Sequence, residues 1–279
     1  MMIERATSIQ FNDQVQGTFN RPVISLCRTS TGLQTYFLKY PRNSNEPDGL
    51  FSELVCHELA IRLHLNTPDV ALVKIGRHPV DKERIVHHEK FKAGIRVFGS
   101  KGLNKADELS QLNFTLNKHD FKRLECPPHI LRIGLFDLWI GNADRKGDNY
   151  NLFLSQGRKQ KIYVFDHFEA FAKITENSQT DIPEAVDVWQ GILGTNFGYG
   201  MLQWVKKEAL IHETNSFIQS IRSMDIQDLL TSVLKAVPES WRIKDKTIRY
   251  IQRFLTNGRR LKLIEADVNT YINYLPLKP

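Results

Sequence analysis

One abrupt change of pattern restricts the fold of this chain more than any other feature. Residues 129–140, preceded by Pro127-Pro128, are apolar almost without interruption and run directly into GNADRKGDNY at residues 141–150. An apolar stretch of about a dozen residues predicts a buried helix, because a membrane span needs roughly 18 or more. The polar, glycine-containing segment behind it predicts a loop. Two short strand patterns follow, at 151–154 and 161–165, around a polar turn at 155–160. The second ends in Asp166-His167-Phe168-Glu169. Asp144, Asn149 and Asp166 therefore stand at the ends of rigid elements that a hairpin folds together.

The chain ahead of this segment has a different period. Residues 23–27 and 35–39 alternate as strands around a turn at Thr29-Ser30-Thr31-Gly32, which predicts a hairpin. Pro41 ends the second strand, and residues 42–49 read as a polar loop. Leu50, Phe51, Leu54, Val55, Leu59 and Leu63 recur at helical spacing, which predicts a helix over 50–65 with Asp48 near its N-cap and Asn66-Thr67-Pro68 as its stop. Residues 70–75, and more weakly 84–88, read as further strands, so the first hundred residues predict a mainly antiparallel sheet with one helix. From about residue 180 to 274 the pattern is helical, with breaks at Pro183, at residues 194–200, at Pro238 and at Asn257-Gly258. The fold class is α+β, divided into a sheet-rich part at 1–99 and a helical part at 100–279 that carries the loops.

An acceptor hydroxyl, a nucleotide and a hard cation need this kind of residue set. One carboxylate positions the hydroxyl and can accept its proton, while a second carboxylate and an amide oxygen suit magnesium, which prefers oxygen ligands. A solvated turn is the plain alternative for Asp144 and Asn149 alone, because Asp, Asn and Gly are also turn residues. A strand ending in Asp-His tips the balance toward chemistry.

The segment resembles the HipA-like protein kinases and, more distantly, the phosphatidylinositol kinases. These carry an Asp-Arg-His-x-x-Asn loop followed by a strand and a metal-binding Asp. Here the loop reads Asp144-Arg145-Lys146-Gly147-Asp148-Asn149 and the strand end Val164-Phe165-Asp166-His167. The resemblance implies a bilobal, protein-kinase-like fold. It implies Asp144 as catalytic base, with Asn149 and Asp166 as magnesium ligands. It also implies Lys39, closing Tyr36-Phe37-Leu38-Lys39, as the contact to the ATP phosphates. Glu53 is implied as the helix carboxylate that pairs with Lys39, with Glu58 as the alternative. Gly17, Thr18 and Asn20, in Gly17-Thr18-Phe19-Asn20-Arg21-Pro22, are similar to the family's phosphate loop, whose backbone N–H groups would approach the nucleotide. Phe98-Gly99-Ser100 and Val237-Pro238-Glu239-Ser240-Trp241 resemble further family segments.

Family members include toxins of toxin–antitoxin modules that phosphorylate aminoacyl-tRNA synthetases. The resemblance therefore implies a serine/threonine kinase with a protein substrate of that kind and an antitoxin or accessory partner. The chain departs from the family in three ways. Lys146 stands where the loop histidine is usual, Phe168 stands where a small residue is usual, and the chain is shorter than the founding toxins, which implies that a partner supplies their extra N-terminal subdomain. These departures keep open a second reading, an inert nucleotide-binding module that acts through a partner. A lipid or small-molecule kinase on the same fold is a third.

Composition narrows the setting. Cys27, Cys56 and Cys126 are odd in number and lack CxxC spacing, which argues against a disulfide framework or a zinc site and for a reducing, cytoplasmic setting. No long apolar stretch points to a membrane. The net charge of +7 is spread over scattered lysines and arginines, so direct nucleic-acid binding is not indicated. Residues 194–200, GTNFGYG, read as a helix-to-helix loop, because no strand opens into them. His87-His88 and Cys56-His57 lack a second ligand pair, and Trp189, Phe197 and Trp204 read as core residues.

Overall fold

The computed structural model describes residues 3–15, 22–40, 46–78, 84–86, 88–109, 116–147, 149–173, 182 and 187–278. Gly17, Thr18 and Asn20, and with them the proposed phosphate loop, lie outside the described residues.

The N-terminal strands close on themselves. They are β1 (Glu4–Gln14), β2 (Val23–Thr29), β3 (Gly32–Lys39), β4 (Val70–Lys74) and β5 (Arg96–Lys101). Their order is β1-β2-β3-β5-β4, and β1 pairs with β4 in parallel to seal a barrel. The β2–β3 hairpin pairs Thr29 with Gly32, as the turn residues predict, and Gly32 takes φ +125°, a backbone conformation open to glycine. Strand alternation points Val23, Cys27, Tyr36, Leu38, Val73 and Val97 into one apolar interior. Register shifts in β1 at Ser8–Gln10 and Phe11–Asp13 supply the local kinks that closure requires. The parallel β1–β4 seam was not foreseen by an antiparallel reading. The strand expected at 84–88 is absent: among its described residues, 84–86 are irregular, and a 3₁₀ turn follows at His88–Lys90.

The predicted helix is present as α1 (Glu46–Arg62), begun four residues earlier than its apolar period suggests. Asp48 sits in its first turn rather than at the cap, and its carboxylate accepts from Thr247 Oγ1 at 3.1 Å. The helix stops because His64 turns left-handed at φ +57°, which lets Leu65 N reach Ala60 O at 2.9 Å and His64 N reach Ile61 O at 3.0 Å. Leu50, Phe51, Leu54, Val55, Leu59 and Leu63 join Val70, Leu72 and Phe98 in the large core of the helical region. Thus α1 ties the outer face of the barrel to everything that follows.

After the barrel come β6 (Ala106–Glu108), α2 (Lys118–Arg123), α3 (His129–Ile140), β7 (Leu152–Ser155), β8 (Ile162–Val164), α4 (Ala170–Lys173), α5 (Asn196–Leu202), α6 (Lys207–Arg222), α7 (Ile226–Ala236), α8 (Asp245–Leu255) and α9 (Gly258–Tyr274). As its all-round apolar sequence predicts, α3 is the central helix; α5, α6, α8 and α9 pack around it. It ends at Gly141, left-handed at φ +66°. Strands β6-β7-β8 form a small antiparallel sheet, of which β6 was not apparent in the sequence.

Two further expectations change. The glycine-rich run is not a loop: it contains α5, capped by Thr195, whose Oγ1 accepts from Gly198 N at 3.1 Å. A Cβ on Gly198 would lie 2.1 Å from Ile192 O, so its glycines serve close packing. Trp189 is 48% exposed and is not core, whereas Phe197 is buried.

Gly134 lies in the middle of α3, where alanine would ordinarily be favoured by about 1 kcal/mol. A Cβ there would meet Leu193 Cγ at 2.3 Å, and overpacking of that kind costs about 1–3 kcal/mol. The clash outweighs the propensity, so Gly134→Ala should lower the urea midpoint, and adding Leu193→Ala should recover part of the loss relative to Leu193→Ala alone.

Candidate active site

Lys39 is the last residue of β3 and is only 8% exposed. Its Nζ donates to Glu53 Oε1 on α1 and, at 2.8 Å, to Asp166 Oδ1 just beyond β8. Glu53 uses its other oxygen, Oε2, to accept from His167 N at 3.0 Å. One buried ammonium thus joins a barrel strand, a helix and a strand end. Burial alone would depress the Lys39 ammonium, but Asp166 and Glu53 override that and hold its pKa above the ordinary lysine value. Burial likewise pushes the Asp166 carboxyl up, yet Lys39 outweighs it and keeps Asp166 below the usual carboxylate range. Asp166 is therefore ionised, and it holds a left-handed φ of +56°, a strained conformation that Asp tolerates better than most residues.

The loop after α3 is folded tightly on itself. Lys146 and Asn149 exchange backbone hydrogen bonds of 3.0 and 2.7 Å, with Gly147 at φ +44° making the turn. Asp144 Oδ2 accepts from Asn149 Nδ2 at 2.9 Å and from Asn151 Nδ2 at 3.1 Å. Two amides therefore fix the carboxylate through Oδ2.

Lys39, Glu53, Asn149, Asn151 and Asp166 line one cleft between the barrel and the β6-β7-β8 sheet. Phe37, Pro68, Val70, Phe98, Phe153 and Phe165 supply apolar wall, the last two stacked at 4.2 Å between centroids, and Thr67, Ser100, Lys101 and Glu108 add polar groups to it. Aromatic wall beside an ammonium and an ionised carboxylate suits a planar base carrying an anionic tail. The donor set of Asp166 with the Asn149 and Asn151 side chains suits a hard cation that takes oxygen ligands and shares the remaining positions with phosphate and water.

The structure brings Lys39, Glu53, Asn149 and Asp166 to this cleft; Asp144 is not among its lining residues but is hydrogen-bonded to Asn149 and Asn151, which are. Glu53, rather than Glu58, pairs with Lys39. Sequence reasoning missed Asn151, the apolar walls, and the buried pair of Asp137 and Arg145, whose Nε–Oδ2 distance is 2.8 Å. A lone carboxylate inside the apolar 129–140 stretch was a usable signal for that pair, because a buried charge needs a partner. Among the described residues no group of three or more His, Cys, Asp or Glu side chains could hold a metal, and no helix is long and apolar enough to cross a membrane.

Comparison with known proteins gives the family and, with it, the class of a phosphotransferase. Residues 11–272 match the model of the HipA-like kinase family, and the chain belongs to that family. Among solved structures it is similar to a Helicobacter pylori proinflammatory kinase, CtkA, with a TM-score of 0.55 and 13% identity over 96% of this chain and 97% of that one. At that identity the likeness shows a shared fold. A search of curated proteins found no match.

His57, one turn after Glu53 on α1, also lines the cleft; its Nδ1 is buried without a hydrogen-bond partner. Burial lowers its pKa from 6.5 to about 4. An unfolded histidine takes up its proton near pH 6.5, so between pH 6.5 and about 4 the unfolded state holds the extra proton and stability falls as pH falls. One proton corresponds to about 1.4 kcal/mol per pH unit. His57→Leu should flatten the dependence of unfolding free energy on pH in that window by about one proton, as read from urea titrations at stepped pH. An unchanged slope would show that His57 does not titrate in this way.

Proposed function

We propose that the chain is an ATP- and magnesium-dependent serine/threonine protein kinase with a bilobal kinase architecture, working in a reducing cytoplasm. The observation that carries this reading is the buried Lys39 ammonium, held between Glu53 and Asp166 in a cleft that Phe37, Phe98, Phe153 and Phe165 help to line. Lys39 engages the nucleotide phosphates through the N–H that its two carboxylates leave over. Asp166 and Asn149 would hold magnesium, which would supply positive charge to offset that of the phosphates.

Asp144 Oδ1 takes the proton of the acceptor hydroxyl as its oxygen bonds to the γ-phosphorus and the bond to the β,γ-bridging oxygen breaks, leaving ADP. Asn149 and Asn151 keep that carboxylate aimed. The half-buried position of Asp144 gives an acceptor side chain access to it. The acceptor is a protein hydroxyl, with aminoacyl-tRNA synthetases as first candidates because family toxins act on them, and an antitoxin or accessory protein as partner.

Transfer of labelled γ-phosphate from ATP to this chain or to a lysate protein tests the reading. Asp166→Asn should abolish magnesium-dependent transfer. Asp144→Asn should lower it by about 10²–10⁴-fold while ATP still raises the melting temperature. Transfer that is equal in wild type and both variants would overturn the assignment. ATP-dependent stabilisation with no transfer in the wild type would identify an inert nucleotide-binding module instead.

A further inference from the structure

Arg145 follows the candidate base directly and is the largest charged side chain buried completely, at 0% exposure. All five of its N–H groups are used. Nε donates to Asp137 Oδ2 at 2.8 Å. Nη1 donates to Tyr150 O at 2.8 Å and to Asn151 O. Nη2 donates to Phe165 O at 3.4 Å and lies 3.2 Å from His167 Nε2. Arginine has no acceptor, so His167 Nε2 must accept and its proton sits on Nδ1. Asp137, on the rigid central helix α3, takes Asn142 Nδ2 on its other oxygen at 3.1 Å.

These contacts are not spread at random. Residue 145 adjoins Asp144. Residues 150 and 151 directly follow Asn149. Residues 165 and 167 flank Asp166. We propose that Arg145 is the positioning residue of this kinase: one guanidinium, held by Asp137, sets the backbone beside Asp144, Asn149 and Asp166 and so fixes the distances among them. The proposal rests on the roles proposed for those three residues. Displacing reacting groups by about 1 Å can cost about 10²-fold in rate, which gives this geometry kinetic weight. Lysine could not substitute, because three donors radiating from one point do not span five acceptors laid out around a planar fork. The same network continues through His167 N to Glu53 and Lys39, so the loop and the phosphate-binding lysine share one frame.

The test compares wild type with Arg145→Lys and Asp137→Asn in two measurements. The first is steady-state transfer, with kcat and KM for ATP separated and the active fraction counted. The second is amide hydrogen exchange of the nucleotide-free proteins. Arg145→Lys should lower kcat per active molecule by about 10²-fold, with KM for ATP changed by less than about threefold. Exchange should rise at residues 149–151 and 165–167 while α6 and α9 keep wild-type protection. Asp137→Asn, which keeps a hydrogen-bonding oxygen but loses the charge, should show the same pattern to a smaller degree.

A folded Arg145→Lys protein with wild-type kcat would overturn the proposal. So would a loss of rate matched by the loss of active fraction, or exchange that rises evenly through the helical region. Failure of both variants to fold would mark Arg145 as purely structural and equally overturn it. If wild type transfers no phosphate, the proposed function fails first, and the exchange pattern still decides whether Arg145 orders the three segments.

Discussion

A buried ammonium cannot stand alone, and the placement of Lys39 dictates much of the molecule. Removing such a charge from water costs several kcal/mol unless it is paired and hydrogen-bonded. The two carboxylates that meet this need come from α1 and from the segment after β8, so the barrel, the helix and the small sheet must converge on one point. Burial holds the Glu53 carboxyl above its ordinary value despite Lys39, whereas Lys39 keeps Asp166 below its own. The triad therefore sets the geometry of the cleft.

The convergence is held from outside by packing. One set of α1 side chains, Leu50 through Leu63, belongs to the same core as Val70, Leu72 and Phe98 of the barrel and as α3. Glu53 and His57 rise from that helix into the cleft, so their positions are as rigid as the core beneath them. The barrel keeps a separate interior around Val23, Tyr36, Leu38 and Val97. Lys39 sits where the two cores abut, next along β3 from Leu38, which faces the barrel interior.

Much of this was legible in the sequence because the signals were local. The period of α1, the all-round apolar α3, the β2–β3 hairpin and the Asp144–Asn149 loop each announce themselves within a dozen residues. What stayed hidden depends on contacts distant in sequence. Closure of the barrel requires β1 to meet β4 some 67 residues later, since Glu4 pairs with Ala71, and nothing in either strand encodes that. Of the glycines at 194–200, Gly200 packs on the distant Leu116 side chain, whereas Gly194 and Gly198 meet the nearby backbone of Trp189 and Ile192 in a local fold-back that the loop reading overlooked. At the site, the residues that carry charge in a motif were readable, while Asn151 and the aromatic walls were not, because Asn and Phe have many ordinary uses.

Lys146, in place of the usual loop histidine, puts least at risk in this frame. Residue 146 contributes to the loop through its backbone, by the paired bonds to Asn149, and its side chain is exposed. The loop's shape is set instead by its immediate neighbour, Arg145, and by Asp137 beneath it. A neutral imidazole is nonetheless present at the heart of the network, contributed by His167 from the opposite segment; burial and then Arg145 push its pKa well below the ordinary histidine value. An uncharged ring is what an arginine neighbour at that distance demands, because two cations in contact would repel without solvent to screen them. The departure at 146 thus leaves the carboxylates, the amides and the ammonium in a mutually consistent arrangement.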